Sequence, residues 1–259
     1  MFGPDVDAAA KAHAIAQYPK ECCGVVVSGA KYIPIDNLAA DPENEFKLPA
    51  SALAEHAPVM AVVHSHCYPK HGPEPSALDM ASQIEAALPF GIVWTNGETA
   101  GDPTWWGDFR LDEPLFDAAG NHIPRRFFHA VHDCYSLIRA WYWQVKKIKL
   151  PDFPRDKEWM IDGGDLYQEG FSKAGFACLA QGPNPPALEV GDVVLMRFGK
   201  IAVPFHGGVL LDNGLLLHHP ATLRNPDKTL SRREPLGRWT RCATHWLRYK
   251  GAQICAAKS

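Results

Sequence analysis

The sequence predicts an α+β protein of two domains. Helical and strand-like patterns alternate over the first hundred residues, a stretch without periodicity follows, and the remainder begins with a helix and continues with strands. A chain of 259 residues is long enough for two domains of ordinary size. We therefore expect domains at residues 1–104 and 124–259, joined by a linker at residues 105–123.

The first region alternates amphipathic and buried patterns. A helix is predicted over "DVDAAAKAHAIAQYP", ending before Pro19, and a second over "SALDMASQIEAALP", ending before Pro89. The short apolar runs "CCGVVVSG", "APVMAVVHSHC" and "FGIVWTN" are typical of buried strands. This order of helices and strands predicts a sheet covered by helices.

The stretch "GETAGDPTWWGDFRLDEPLFDAAGNHIPRR" lacks periodicity and is rich in Gly, Pro and Asp. It is long for a loop inside one domain, which favours a linker. Trp105 and Trp106 could dock such a linker on a domain surface, but simple burial is the favoured interpretation.

The second region has its own order. "DCYSLIRAWYWQVKK" predicts a helix with apolar residues at positions 137, 138, 141, 142 and 145. "GDVVLMRF", "KIAVPFHGGVLLD" and "GLLLHHP" predict strands joined by turns that contain Gly and Asn.

Composition narrows the class of function. The chain is 46% hydrophobic and 21% charged, as in globular proteins, and its net charge of −3 gives no reason to expect nucleic acid or an anionic membrane as partner. Neither a secretory h-region nor an apolar run of about 18 residues is present in the sequence, so the cytoplasm is the default expectation. Seven cysteines without a C-x-x-C pair favour neither a disulfide framework nor a thiolate zinc cage.

A histidine pair ends one predicted strand. Residues i and i+2 project on the same face of a strand, so His64 and His66 should converge at its carboxyl edge, where Asp79 could reach them from the start of the next helix. Two imidazoles and one carboxylate with an open position form the ligand set of a catalytic zinc. Ser76 and Asp79 also fit a helix capping box, and twelve histidines allow a chance pair. The spacing leaves both interpretations open.

The motif residues "HSH" and "PSALD" resemble the JAMM metalloprotease motif. The resemblance implies an α/β, cytidine-deaminase-like domain in which His64, His66 and Asp79 bind Zn2+. "YPKECCGVVV" matches the upstream element of that family, which implies Glu21 as the base that activates water and Ser76 as an oxyanion-stabilising donor.

Two departures from the JAMM pattern lie beside the histidines. Cys67 stands where a proline is common, and the loop to Ser76 is about two residues longer than in the common eukaryotic pattern. Cys67 is either an extra ligand or a buried thiol, and the thiol is favoured. His71, inside the loop, is expected to be solvated.

A second candidate site begins at a cysteine. Asp133 occupies an N-cap position, so Cys134 lies in the first turn of the following helix, where the helix N-terminus favours the thiolate and lowers the pKa of the thiol. The alternative is a core cysteine, because Cys134 shares a helix face with Ile138 and Trp141.

A partner base is available on the strand "AVPFHGGVLL". His206 precedes two glycines that permit close approach of another backbone or a substrate. A two-residue turn at 213–214 would bring His219 to the side of His206, whereas a three-residue loop at 212–214 would bring His218 there. Turn chemistry leaves both registers open.

The second region resembles the NlpC-type cysteine peptidases, papain-like enzymes that cut bacterial cell-wall peptides. The matching elements are "DC" at the helix start, "VGDV", "HGGV" and His218. The resemblance implies Cys134 as nucleophile, His206 as general base and later acid, and His218 as orienting group, with His219 as the alternative. Tyr135 follows the cysteine where the family commonly has a serine.

The combination resembles the tail-tip assembly protein K family of lambda-like bacteriophages, and "LSRRE" at residues 230–234 fits that group. It implies hydrolysis of peptidoglycan stem peptides, a second zinc-dependent (iso)peptidase site, and contacts with other tail-tip proteins. It also implies assembly in the host cytoplasm and action at the cell wall from the virion tail tip. The competing interpretations are a structural tail component with one or both sites silent, and an isopeptidase acting on a ubiquitin-like modifier.

Overall fold

The computed structural model describes residues 1–161, 164–220 and 229–251. The chain divides into two compact units, residues 1–110 and 111–259, each with helices and a sheet. The predicted two-domain α+β class is confirmed. Within the described ranges, no helix has the length and apolar character needed to cross a membrane.

The first unit consists of one sheet and its helices. The sheet has the order β2-β1-β3-β4-β5, in which only the β3–β4 pair is parallel. The parallel pair requires a crossover, and α3 forms it, so the end of β3 lies beside the start of α3. The elements are α1 (Pro4–Gln17), β1 (Cys23–Val27), β2 (Lys31–Ile35), α2 (Ala52–Glu55), β3 (Val59–Cys67), α3 (Ala77–Ala86), β4 (Phe90–Thr95) and β5 (Thr104–Trp106).

Helix α1 packs through small residues. Val6, Ala10 and Ala14 recur at four-residue spacing and are fully buried in the core of this unit. The helix ends at Gln17, as the following Pro19 predicts. The predicted strands correspond to β1, β3 and β4, whereas β2 and β5 are additional.

The stretch predicted as a linker is partly folded into both units. Trp105 and Trp106 belong to β5, which pairs with β4, and both side chains are buried. Simple burial of the tryptophans is therefore confirmed, and their assignment to a linker is wrong. Leu111 and Leu115 are buried in the core of the second unit. Strand β5 and the segment around Leu111 and Leu115 are too short for a hydrophobic period to be recognised in the sequence.

The second unit packs helices against an antiparallel sheet. Among the described residues the strand order is β10-β9-β8-β7-β11-β6. Helix α4 packs on the sheet through contacts with β8 and β9. The elements are α4 (Cys134–Trp141), α5 (Leu166–Lys173), β6 (Phe176–Gln181), β7 (Val193–Met196), β8 (His206–Leu210), β9 (Leu215–His218), β10 (Arg232–Pro235) and β11 (Ala243–Tyr249).

The predicted elements of this unit are present but shorter. The predicted helix ends at Trp141 and continues as a π-helical turn over Tyr142–Lys146, and the strand around His206 covers only His206–Leu210. Helix α5 and strands β6, β10 and β11 were not predicted. The irregular stretches around them carry too weak a period-2 or period-3.6 pattern to identify these elements from the sequence.

Candidate active sites

The end of β3 and the start of α3 bring three predicted ligands together. His64 Nε2 lies 3.2 Å from His66 Nε2 and 3.1 Å from Asp79 Oδ1, and His66 Nε2 lies 3.3 Å from Asp79 Oδ2. All three side chains are buried. The predicted convergence of residues i and i+2 of the strand with the first turn of the next helix is confirmed.

Neighbouring groups fix the orientation of the two imidazoles. His66 Nδ1 lies 2.7 Å from the carbonyl oxygen of Gly72, which can only accept, so Nδ1 carries the proton and Nε2 presents a lone pair to the cluster. The Phe46 ring stacks on His64 with ring centroids 4.2 Å apart. The hydrogen bond to Gly72 thus holds His66 with Nε2 toward Asp79, and Phe46 packs on the face of the His64 ring.

Ser76 and Asp79 also form the predicted capping box. Ser76 Oγ accepts a hydrogen bond from the Asp79 backbone amide at 3.1 Å and donates one to Asp79 Oδ2 at 2.7 Å. The Ser76 backbone amide donates to the same oxygen at 2.8 Å. A metal-ligand role and a capping role are therefore compatible for this motif, because the Asp79 carboxylate caps α3 with one oxygen and also faces the two histidines.

The charges within the cluster are strongly coupled. Burial alone would raise the pKa of Asp79, but the charges and hydrogen bonds of His64 and His66 hold that pKa well below its usual range. Burial lowers the pKa of His64, whereas hydrogen bonding to Asp79 and its charge raise the pKa of His66 against the opposing effect of burial. The carboxylate is thus an anion among close imidazoles.

Glu21 lies just before β1, next to this cluster. Its side chain is only 3% exposed, and its electrostatic interactions reach His66 and Asp79. Burial raises the pKa of Glu21 to about 8, the charge of His66 opposes this, and the charges of Asp79 and Glu45 add to it. Glu21 is therefore a second buried carboxyl group beside the three-residue cluster.

The donor set fits a zinc ion. Zinc binds imidazole nitrogen and carboxylate oxygen at about 2.0–2.2 Å, and two nitrogens on one tetrahedral ion are roughly 3.3 Å apart, close to the distance seen here. The ligand atoms of His64, His66 and Asp79 all lie within 4.8 Å of one another.

Cys67 and His71 are outside this group. Cys67 is a buried thiol whose pKa burial raises to about 11, and His71 Nε2 lies 3.3 Å from Asn44 Oδ1.

The second site begins at the N-terminus of α4. Asp133 is the N-cap, as predicted, and its carboxylate accepts from the Ser136 backbone amide at 2.8 Å. Cys134 is 4% exposed and shares its buried face with Ile138 and Trp141. The expectation of a lowered thiol pKa is wrong for this arrangement. Burial and the charge of Asp133 raise the pKa of Cys134 to about 11.

A buried ion pair holds the N-cap. Arg155 Nε donates to Asp133 Oδ2 at 2.7 Å, and its Nη1 donates to Asp152 Oδ1 at 2.8 Å. Arg155 is 1% exposed, and its charge holds the pKa of Asp133 well below the usual range although burial opposes this. Arg155 was not predicted as a site residue, because its partners come from separate segments.

The hairpin between β8 and β9 decides between the two histidine registers. Gly208 pairs with His218 and Leu210 with Leu216, so paired residue numbers sum to 426 and the loop has three residues. His206 Nε2 therefore lies 3.0 Å from His218 Nδ1. His219 Nε2 instead donates to the Thr229 carbonyl oxygen at 3.3 Å.

Cys134 and His206 both line a pocket of about 430 Å³. Its apolar walls include Phe127, Ile201 and Phe205. The Gly207 backbone amide donates toward the Cys134 sulfur and opposes the effect of burial on the thiol pKa. The predicted nucleophile, Cys134, and the predicted base, His206, therefore line the same pocket.

Two further groups at this site were missed by sequence reasoning. The Tyr167 hydroxyl lies 2.9 Å from Cys134 Sγ. On the other side, Glu234 Oε2 lies 3.4 Å from His218 Nε2 and accepts from Trp239 Nε1 at 2.9 Å. Tyr167 comes from the unpredicted α5, and Glu234 from the unpredicted β10. The "LSRRE" stretch contained Glu234 but gave no indication of its partner.

Comparison with known families defines the class of protein. Residues 5–107 match the family model of prokaryotic homologs of the JAB domain, and residues 118–235 match that of the NlpC/P60 family. The chain thus carries a JAB-type domain followed by an NlpC/P60-type domain. Each matched range contains the residues of one of the two candidate sites.

Relatives with the same arrangement identify the family. Tail tip assembly protein K of Escherichia phage N15 is 32% identical over 94% of this chain and 95% of its own length. Tail tip assembly protein K of Escherichia phage lambda is 33% identical over 73% of this chain and 80% of its own length. The chain belongs to the tail tip assembly protein K family.

Proposed function

We propose that this protein acts in phage tail-tip assembly and hydrolyses amide bonds of peptidoglycan stem peptides at Cys134. The observation that carries the proposal is one pocket lined by both Cys134 and His206, with His218 3.0 Å from His206. Membership of the tail tip assembly family and the NlpC/P60 match support the proposal.

The cysteine site requires a base, because Cys134 is a thiol at rest. Its pKa is raised to about 11, so at neutral pH it reacts only when His206 accepts its proton. The S–H bond breaks, an N–H bond forms on His206, and the sulfur attacks the carbonyl carbon of the scissile amide. His206 returns the proton to the departing nitrogen, and water then hydrolyses the thioester. His218 orients His206 throughout.

The first site supports a second, zinc-dependent peptidase activity. His64, His66 and Asp79 would hold the ion, which as a Lewis acid would polarise a substrate carbonyl and lower the pKa of bound water. Glu21 in its ionised form would accept the proton of water and pass it to the leaving nitrogen. Because burial raises its pKa to about 8, a cation bound nearby would be needed to favour that form. Ser76 would donate toward developing negative charge once its hydroxyl turns from Asp79.

The proposed partners follow from the family. We infer that the protein is assembled with other tail-tip proteins in the host cytoplasm and acts at the cell wall from the virion tail tip. Peptidoglycan peptides are the proposed substrates. A net charge of −3 supports a role that does not involve nucleic acid.

The test is mass spectrometry of soluble fragments released from purified peptidoglycan. We expect the parent protein to release stem-peptide fragments whose termini name the bond, and Cys134→Ala to release none. Cys178→Ala is the matched control, because Cys178 is an exposed thiol on β6. Fragments that persist in Cys134→Ala but disappear in His64→Ala would assign the cleavage to the first site instead.

A structural role with silent sites is the second candidate. It is favoured by the burial of Cys134, which leaves the thiol 4% exposed with a raised pKa. This candidate predicts that no fragments are released by the isolated protein or by assembled tails. Release by tails alone would indicate a site that opens on assembly.

A further inference from the structure

Glu234 lies behind the histidine pair of the cysteine site. We infer that Glu234 is a positioning residue, which fixes the protons of His218 and His206 so that His206 accepts the proton of Cys134. The inference rests on the proposed role of Cys134 as nucleophile. It adds a carboxylate to the site, supplied by a strand that the sequence did not predict.

Strand pairing places Glu234 at His218. Strand β10 pairs with β9 so that Arg232 is opposite His218 and Glu234 is opposite Leu216. Alternate residues share a face of a sheet, so Glu234 is a diagonal neighbour of His218 on the same face. Its Oε2 lies 3.4 Å from His218 Nε2, at the long end of hydrogen-bond distances, where attraction is largely electrostatic.

Each oxygen of Glu234 has a distinct partner set. Arg232 Nε lies 3.1 Å from Oε1, whereas Trp239 Nε1 donates to Oε2 at 2.9 Å. Arg232 is 55% exposed on its side chain, so solvent screens its pull on the carboxylate. The Trp239 ring lies edge-on to His218 with centroids 4.5 Å apart. His218 is fully buried, so little water competes with Oε2 there.

The arrangement of acceptors determines the tautomers. A carboxylate beside His218 Nε2 favours the proton on that nitrogen, which leaves Nδ1 as an acceptor. His218 Nδ1 then accepts a hydrogen bond from His206 Nε2 at 3.0 Å. With its proton on Nε2, His206 carries a lone pair on Nδ1, the nitrogen left to receive the proton of Cys134.

The carboxylate also stabilises the product of that transfer. When the Cys134 S–H bond breaks and His206 Nδ1–H forms, His206 becomes a cation whose Nε2–H still donates to His218. Glu234 attracts this charge along the chain of hydrogen bonds. Burial lowers the pKa of His206 and opposes this cation, and the nearby His218 and His219 also disfavour it.

Glu234→Gln and Arg232→Gln leave the other charged groups near Cys134 unchanged. Asp133 raises the pKa of Cys134, whereas Tyr167 and Arg155 lower it. Arg232 faces His218 and lowers the pKa of that ring, so it opposes Glu234. Removing Glu234 and removing Arg232 should therefore change the ionisation of Cys134 in opposite directions.

The experiment measures alkylation of Cys134 by iodoacetamide against pH in the full chain, with site-resolved mass spectrometry. We expect Glu234→Gln to raise the pH midpoint by about one unit and to slow alkylation at neutral pH roughly tenfold. Arg232→Gln should lower the midpoint. Glu189→Gln is the matched control, since that exposed carboxylate pairs with Arg248, and it should leave the profile unchanged.

The results separate this inference from the proposed function. If His206→Ala shifts the profile and neither Glu234→Gln nor Arg232→Gln does, the Glu234 inference is overturned while the Cys134–His206 pair stands. If His206→Ala leaves the profile unchanged, both fail. Thermal unfolding is measured for each variant. If Glu234→Gln has a lowered Tm, the test rests on Arg232→Gln, because replacing an exposed side chain should not disturb the fold. An unchanged pH midpoint of Cys134 alkylation in that variant would overturn the inference.

Discussion

Replacing Asp79 with asparagine separates its two roles. The amide keeps the volume and an oxygen that can accept from the Ser76 amide, so the helix cap is largely retained, whereas the anionic group of the proposed zinc site is lost. We expect a loss below about 1 kcal/mol of stability without zinc, because that is the usual scale of a capping interaction.

The effect on zinc binding is larger. At a free zinc concentration about 100-fold above Kd, binding stabilises the folded form by about 2.7 kcal/mol. For a unit of 110 residues this corresponds to a rise in Tm of roughly 10 °C. A loss of roughly 100-fold in affinity reduces this to about 0.4 kcal/mol, or one to two degrees.

The assay is thermal unfolding of chelator-treated protein with and without zinc, with metal content measured on the same samples. Asp102→Asn is the matched control, because Asp102 is exposed and pairs with Lys11 in the same unit. His71→Ala removes an imidazole near the cluster but outside it. An equal zinc-dependent rise in Tm for the parent protein and Asp79→Asn would refute the assignment of this carboxylate as a ligand.

Three further variants test the second unit. Tyr167→Phe removes the hydroxyl 2.9 Å from Cys134 Sγ, and since hydrogen bonds to charged groups contribute about 1.5–3 kcal/mol, iodoacetamide alkylation of Cys134 should slow by roughly tenfold or more. Gly208→Ala places a methyl group 3.0 Å from His218 Cβ, so we expect Tm to fall by the equivalent of about 1–3 kcal/mol and peptide release to be lost. Burial lowers the pKa of His219 to about 4, so its stabilising contribution is present above pH 6.5 and lost as the pH falls toward 4. In urea unfolding, His219→Gln should lose about 2 kcal/mol less stability than the parent between pH 7 and pH 5.

Matched variants distinguish these effects from general damage. Tyr135→Phe removes a hydroxyl that donates to the Pro151 carbonyl, and it should leave alkylation of Cys134 unchanged. Gly207→Ala should be milder than Gly208→Ala, because its methyl group meets the flexible end of Ile138 at 3.2 Å. Equal acid sensitivity of His219→Gln and the parent would contradict the assignment of a neutral, buried imidazole.

Much of the first site could be predicted from local pattern. His64 and His66 are two residues apart on one strand, and Asp79 is in the first turn of the next helix, so short-range geometry determines where each side chain projects. The crossover between parallel strands then leaves little freedom in how they meet. Glu21 is different, because only the pairing of β1 with β3 brings the start of β1 to the cluster.

The second site depended more on long-range contacts. The N-cap at Asp133 and the buried face shared by Cys134 and Ile138 were predicted from local sequence. Tyr167 and Glu234 could not be predicted, since each reaches the site from an element with weak periodicity and a distant position in the chain.

By itself, the sequence determined the class of fold, the two groups of candidate site residues and the helix caps, because these follow from contacts within a few residues. Tertiary structure decided three matters. It selected His218 over His219, since a shift of one residue in the hairpin register reverses the face of each side chain. It raised the pKa of Cys134, because burial disfavours the thiolate. It also brought Glu234 to His218, because strand pairing joins segments whose relation no local pattern encodes.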